Sequence, residues 1–404
     1  MIRQIFKGVK VAEFAWVIAG PLTIKYLADY GAEVIHIESG TRADIMRVSP
    51  PYKDGIPGVN RAAWWTDYNS NKYGVTLNLN HPRATEVVKR LVAWADVIAE
   101  SFSPGVIDRW GLNYEEVKKT RPDIIYVSAS IQGQTGPHCT LPGQGPHLTS
   151  LAGFTHLTGW GDREPSIPYG AYTDFIAPRF GAAALVAALD YRRKTGKGQY
   201  IDLTQYETAI HFLAPLVLSY TVNKQEYNRV GNRSDCAAPH GAYRCRGNDR
   251  WCVISVFTDE EWKSLCKVIG KQEWTKDPRF DTLGSRIQNA DELDRLIEEW
   301  TVNHTPEEVM RLMQAAGVGA GVVQTTEDLR QDPQLKHRHH YQILNHSEIG
   351  RHAYDSLSFR LSKTPGALRM PAPCLGQHNE YVYTKILGMS DKEFVELMTQ
   401  GVFD

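Results

Sequence analysis

The chain has 404 residues, 42% of them hydrophobic and 23% charged, and its 45 Lys and Arg against 46 Asp and Glu leave a formal net charge of −1. That composition builds a sizeable core and excludes disorder; the charge balance offers no basic field to a nucleic acid, and no run of about 18 apolar residues predicts a membrane span. The first residues carry no apolar leader stretch and the six cysteines include no C-x-x-C pair, so the expectation is a cytoplasmic protein without disulfides.

Over the first 130 residues, strands are predicted at 8–14, 33–37, 75–79, 96–99 and 124–128, with helices at 22–30, 83–94 and 114–120 between them. Strand, helix and strand at this spacing mean crossover connections and a largely parallel sheet covered on both faces. Residues 133–170 are rich in Gly, Pro and Thr and read as loop. A long helix is predicted from about 175 to 193, stopped by TGKGQ at 195–199, then a strand at 200–203 and a helix over 205–220. Composition changes at 223. A polar segment to 245, a strand at 251–256 and helices at 259–269, 291–301 and 306–316 read as a smaller α+β unit. Residues 340–404 return to strand-like pieces and a closing helix at 391–399.

The usual phosphate and hydrolase motifs are absent from the sequence. There is no GxxxxGK[ST] and no GxSxG, and AWVIAGP stands at 15–21 where a dinucleotide fold carries GxGxxG. The glycines at 317, 319 and 321 follow a predicted helix and read as its stop. Cys236, His240, Cys245 and Cys252 fall within 17 residues, but their spacing matches no zinc knuckle. The basic cluster at 336–340 reads as a solvated loop, so no metal site is predicted.

What carries chemistry lies at the carboxyl ends of the predicted strands, where open α/β sheets place ligands. Residues 16–19 follow the first strand, 38–42 the second, 69–72 precede the third, and 101–105 with Arg109 follow the fourth. The last group reads as a loop opening a short helix with an arginine one turn in, which suits an anionic, phosphate-bearing ligand. Asp174 precedes the long apolar helix. It reads either as an N-cap or as a carboxylate nucleophile toward an activated acyl group, with the helix N-terminus favouring its ionised form.

AGP at 19–21, GAEVIHIE at 31–38, NSNK at 69–72, Asp96 through Glu100, PGVIDRWG at 104–111, Asp174, TGKGQ at 195–199 and LGQH at 375–378 occur in that order. The ordered set resembles the class III CoA-transferases, the family of formyl-CoA and carnitine CoA-transferases, with benzylsuccinate CoA-transferase-type subunits among the relatives. The resemblance implies a large Rossmann-like α/β domain made from both chain ends (1–222 and 331–404), a smaller inserted α+β domain (223–330), and two interlocked subunits. It implies Asp174 as the nucleophile. Val17, Ala19, Phe102, Val106 and Arg109 are implied as coenzyme A contacts, with Arg42 and Lys72 at its phosphates. Coenzyme A enters as substrate, with no tightly bound cofactor, and the partner is a second copy or a related subunit.

Departures from the family pattern shape the expected substrate. Ile18 stands where formyl-CoA transferase has glutamine, Gly145 and Pro146 where it has a tyrosine–glutamate pair, and NRSDCAAPHG at 232–241 near its glycine-rich flap. With Trp16, Trp64 and Trp65 close by, these changes favour a bulky or aromatic acceptor acid, with succinyl-CoA as donor. Two alternatives stay open: an α-methylacyl-CoA racemase using Asp174 and His147, and a non-catalytic partner subunit.

Overall fold

The computed structural model describes residues 4–404. The chain divides into two compact units: the larger holds residues up to 154, 167–226 and 336–404, and the smaller holds 155–166 and 227–335. The excursion at 155–166 has no counterpart in the sequence reading. It is tied to the smaller unit by Gly231 N–H to Gly159 O (2.7 Å) and Arg229 Nε–H to Arg163 O (2.9 Å), links that no local pattern announces.

The larger unit is built on six strands: β1 (Lys10–Glu13), β2 (Glu33–Glu38), β3 (Tyr73–Thr76), β4 (Val97–Glu100), β5 (Ile125–Ser130) and β6 (Gln199–Thr204). They pair in parallel throughout, in the order β3–β2–β1–β4–β5–β6. Every residue of β4 and β5 is buried, as expected of a parallel sheet covered on both faces. Its helices up to residue 226 are α1 (Ala19–Asp29), α2 (Ala63–Asn69), α3 (Ala84–Trp94), α4 (Tyr114–Thr120), α5 (Gly145–Leu151), α7 (Tyr172–Thr195), α8 (Gln205–Phe212) and α9 (Ala214–Asn223), while the single turn α6 (Phe154–Leu157) lies where the chain passes into the smaller unit. One face of the sheet packs Ile35, Val75 and Ile98 against Val87 and Leu91; the other packs Val34, Val97 and Ile125 against Leu27 and Leu185.

Several elements differ from the sequence expectation. α5 and α6 lie within 133–170, which reads as loop from its Gly, Pro and Thr content. α2, with its paired tryptophans, is a helix where none was predicted. α7 starts at Tyr172, three residues early, and ends at Gly196 in a left-handed conformation (φ 73°). The helix expected over 205–220 breaks at Leu213, with Pro215 opening α9, because proline is tolerated in a first helical turn and not in the interior.

The smaller unit pairs β7 (His240–Arg244), β8 (Trp251–Ser255) and β9 (Gly319–Val322) antiparallel. Its core includes Trp262, Phe280, Leu293 and the buried thiols Cys245, Cys252 and Cys266. The chain end returns to the larger unit, where Gly74 N–H donates to His378 Nδ1 (3.1 Å) and Thr76 N–H to Asn379 Oδ1 (2.9 Å). The LGQH segment therefore covers the edge strand β3, whose unpaired groups would otherwise stay open.

Across the ends of β1 and β2 runs a line of fully buried charge. Lys72 Nζ donates to Glu13 (3.0 Å), Asn69 Oδ1 (3.1 Å) and Pro21 O (2.9 Å). Glu13 accepts His36 Nδ1–H (2.7 Å), and His36 Nε2 lies 4.0 Å from Glu38. Arg47 grips Glu38 with two bonds of 2.7 Å and stacks on Trp65, 3.7 Å from the ring centre. Removing one partner strands a buried charge. Lys72→Met is expected to lower unfolding free energy by about 3–5 kcal/mol in urea titrations, and Lys72→Arg, whose planar fork does not match three acceptors converging on one ammonium, is expected not to rescue it.

Candidate active site

In a doubly wound sheet the ligand crevice opens outside the carboxyl ends of the strands where the order reverses. Here that point lies between β1 and β4. The loops leaving these strands are joined: Trp16 N–H donates to Ser101 Oγ (2.9 Å), Ser101 Oγ–H donates to Trp16 O (3.2 Å), and Trp16 meets Phe102 edge-on at 5.9 Å. A side chain at Gly20 would put its Cβ 2.4 Å from Ala15 Cβ and 3.4 Å from Ser101 Cβ. The glycine of the AGP motif is what lets the first turn of α1 close on both loops.

The residues expected at coenzyme A lie at the start of α1 and on the segments that follow β1, β2 and β4, with one exception. Val17 is 41% exposed with φ 71°, its N–H held by buried Asp44 (2.9 Å). Ala19 is the buried first residue of α1. Phe102, half-buried, packs between Trp16 and Trp110 (5.4 Å), with its N–H on Glu100 Oε2 (2.8 Å). Burial pushes the Glu100 carboxyl up to about 7. Val106 opens the turn Ile107–Trp110, which exposes Arg109, and Arg42 is exposed after β2. Lys72 is the exception and corrects the expectation: its ammonium is fully buried and its donors are committed to Glu13, Asn69 and Pro21. Desolvation lowers its pKa, which Glu13 partly opposes.

Asp174 is the third residue of α7. The N-cap position is Ala171, with no side-chain cap bond, so the capping role considered for Asp174 falls away. The carboxyl is 8% exposed. Burial pushes it up to about 7, and a hydrogen bond from the Gln205 side chain pulls the other way. The expected gain from the helix N-terminus is thus outweighed by desolvation. Pro178 lies one turn on and has no N–H for the Asp174 carbonyl, which leaves that oxygen without its helical donor. Gly145 seals one side: a Cβ there would fall 2.5 Å from Asp174 Oδ2 and 2.2 Å from Ala171 Cβ.

An apolar cluster joins Asp174 to the crevice. Ile18, next to Val17, packs with Trp65, Tyr68 and Ala171, and Trp64 and Phe175 lie against them. Tyr68 meets Phe175 edge-on at 6.1 Å and accepts the Trp64 indole N–H. Burial first, and then the carboxylates Asp67, Asp355 and Asp174, hold its phenol neutral. Trp65 is 1% exposed and sits on Arg47, so of the tryptophans expected near the substrate it belongs to the core. His147 does not face Asp174. Its Nδ1 accepts Gln144 N–H (3.3 Å) as part of the α5 capping box, and residues two apart on a helix point about 200° apart, so Gly145 and His147 cannot both look at α7.

Gln205 is the site residue the sequence reading passed over. It is 8% exposed and follows Thr204, the last residue of β6, so its position at a parallel strand's carboxyl end was the available signal.

Residues 6–379 match the CoA-transferase family III. The chain is 32% identical over 394 residues to succinyl-CoA–D-citramalate CoA-transferase of Chloroflexus aurantiacus, covering 98% of this chain and 97% of that one. It is 30% identical over 400 residues to the beta subunit of succinyl-CoA–L-malate CoA-transferase of the same organism, with the same coverage. The crystal structure of a CAIB/BAIF family protein from Brucella suis matches with a TM-score of 0.87 at 30% identity, covering 95% of this chain and all of that one. Fold and sequence together place the chain in CoA-transferase family III. It is a class III CoA-transferase, an enzyme whose substrates are CoA thioesters.

Asp174 carries a stability signature. Its folded pKa of about 7 lies above the ordinary 3.8, so the native state holds the proton more tightly than the unfolded chain. That contribution is full below about pH 4 and is lost as pH rises through 7. Asp174→Asn is expected to stabilise the protein at pH 8 by up to about 4 kcal/mol and to leave stability at pH 4 nearly unchanged, as read by urea titration at both pH values.

Proposed function

We propose that the protein moves coenzyme A from succinyl-CoA to a second carboxylic acid through covalent intermediates on Asp174. The observation that carries this reading is the buried Asp174 carboxyl, which joins no ion pair among the described residues and is flanked by Phe175 and Ala171 of the cluster that holds Ile18. The Asp174 carboxylate attacks the thioester carbonyl, a C–O bond forms, the C–S bond breaks and the CoA thiolate leaves a mixed anhydride. The thiolate then attacks the aspartyl carbonyl, freeing the donor acid and leaving an aspartyl-CoA thioester. The acceptor carboxylate runs the same two steps in reverse, and no net proton is consumed. Both intermediates hydrolyse readily, so a dry site is required, which fits the 8% exposure of Asp174.

In this reading Val17, Ala19, Phe102 and Val106 flank the coenzyme and Arg42 and Arg109 meet its phosphates. The relatives named above act on succinyl-CoA with citramalate or malate. Beside Asp174 in this chain stand Tyr68, Phe175 and Trp64, which support an acceptor with a bulky or aromatic body. Initial rates with succinyl-CoA against arylalkanoic acids, malate and citramalate decide this; a preference for the small hydroxy acids would overturn the acceptor assignment and leave the transfer chemistry untouched.

Asp174→Ala is expected to lower transfer at least 10³-fold while the fold and coenzyme A binding persist. Hydroxylamine should trap wild type incubated with succinyl-CoA as a modification at Asp174 by mass spectrometry. Because the carboxylate is the attacking form, kcat/KM is expected to fall about tenfold per pH unit below about 7. Exchange of the α-proton of a 2-methylacyl-CoA without an acceptor acid would point instead to racemase chemistry.

The assembly we propose is a dimer, the two copies interlocked as in the family. α9 is apolar along most of its length, yet none of its residues is buried, with Leu218 59% and Val222 76% exposed and Phe212 beside them at 59%. A helix that is apolar all round requires cover. Light scattering is expected to give twice the chain mass for the wild type and a monomer or aggregate for Leu218→Glu; a monodisperse wild-type monomer would refute the dimer.

A further inference from the structure

We propose that Asp44 is a positioning residue for coenzyme A binding: its buried carboxylate holds the amide of Val17 and so keeps the loop between β1 and α1 in the strained geometry that receives the coenzyme. The inference rests on the reading that Val17 flanks the coenzyme, and adds to it the group that sets the loop in advance.

The loop leaves β1 and enters α1 through a peptide bonded on both sides. The carbonyl of Trp16 accepts Ser101 Oγ–H (3.2 Å), and the N–H of the same peptide, that of Val17, donates to Asp44 Oδ2 (2.9 Å). Trp16 is held further by its own N–H on Ser101 Oγ (2.9 Å) and its indole N–H on Ile37 O (3.0 Å). While these bonds stand the peptide does not turn over. The strain this imposes shows at Val17. Six non-glycine residues among those described have positive φ, and Val17, at 71°, is the β-branched one. A branched side chain disfavours that region strongly, and such a conformation persists where the surroundings over-determine it. Val17 is 41% exposed, so the restraint comes through its backbone and not through packing of its side chain.

Asp44 is placed to supply that restraint. It is fully buried and lies 27 positions from Val17 in the chain. Its two oxygens act separately: Oδ2 takes Val17 N–H, and Oδ1 takes Met46 N–H (2.9 Å) as the cap of the short turn Ile45–Val48. That turn is anchored by Arg47, whose guanidinium holds Glu38 and the carbonyls of Val59 and Pro373. The carboxylate therefore stands on the buried line of charge and not on a free loop. Capping the turn needs one acceptor, which serine or asparagine also offers. Holding Val17 as well needs a second, and an asparagine would face one of the two amides with an N–H of its own. A loop held ready spares the coenzyme the cost of ordering it. A relaxed loop lowers apparent affinity in proportion to the fraction of molecules still in the receptive geometry.

The test uses the purified full-length enzyme, with coenzyme A binding read by titration calorimetry and rates measured with succinyl-CoA and the best acceptor from the panel above. Asp44→Ala is expected to raise Kd for coenzyme A and KM for succinyl-CoA by about 10- to 100-fold, with kcat within about threefold of wild type, because saturating substrate draws the loop back. Asp44→Asn should lie between that variant and wild type, and it serves if the alanine variant does not fold. Val17→Gly separates this role from general support of the fold, since glycine takes a φ near 71° without strain. In the Val17→Gly background, Asp44→Ala is expected to raise Kd by no more than about fivefold, a non-additivity that loosening of the fold alone would not produce. A folded Asp44→Ala with Kd within about threefold of wild type, a loss confined to kcat, or an equal cost in the two backgrounds overturns the proposal. Val17→Asp is assayed in parallel, because aspartate tolerates the left-handed region and sets a negative charge against a polyanionic coenzyme. If it binds coenzyme A as wild type does, the coenzyme lies elsewhere and the reading of the crevice fails; if it does not bind while Asp44→Ala binds normally, only the role of Asp44 fails.

Discussion

The carboxyl edge of β1 and β2 depends on a line of buried charges that neutralise one another. Glu13 and Glu38 contribute two carboxylates, Lys72 and Arg47 two cations, and His36 stands between them, all fully buried. Such a line is expensive to bury unless its charges are paired; the charged members here are paired, while His36 Nε2 has no hydrogen-bond partner. The guanidinium of Arg47 meets this demand in full, reaching Val59 O, Asn60 and Pro373 O besides Glu38. Its reach is also topological: Lys72 precedes β3, Pro373 belongs to the returning chain end, and Arg47 lies on the loop that carries Asp44. The network thus decides where the loops after β1 and β2 can run, and those loops form one wall of the crevice.

The other wall works by a different principle. Around Asp174 the polypeptide removes solvent without adding counter-charge among the described residues: Gly145 lies so close to Oδ2 that no side chain fits there, and Ala171, Ile18 and Phe175 close the apolar side. A carboxylate held this way is a better nucleophile than one in a salt bridge, because less interaction has to be broken before it attacks. The pairing of a rigid wall with a dry neutral one suits the proposed transfer, in which a polyanionic coenzyme is bound and reactive acyl intermediates are protected a short distance away.

Much of the larger unit was legible in the sequence because parallel strands buried on both faces read as apolar runs, and the crossover helices between them have strong periodicity. α2 was not, since WWTDYN has no helical stripe and folds as a helix through tertiary contacts of Trp65 and Tyr68. The 155–166 excursion was hidden for the same reason. At the site, the order of short motifs pointed to the loops after β1 and β4 and to Asp174, the residues on which the proposed function rests. Lys72 misled because a polar residue near a strand's carboxyl end can serve the fold as readily as a ligand, and only burial separates the two. Gln205 was missed because its significance lies in what faces it across α7, 31 positions earlier in the chain.

Val17 shows what such a site demands of its own backbone. A β-branched residue at φ 71° is strained by about 1–3 kcal/mol, and the loop tolerates it because Asp44 fixes the amide from below while holding Met46 N–H with its other oxygen. Glycine would adopt the same geometry without strain and would also loosen the loop when the coenzyme is absent. This chain instead has a residue that resists its own conformation. Selection for thermal stability alone would be drawn to this position early; if Val17 flanks the coenzyme as proposed, the changes it accumulates here would erode turnover.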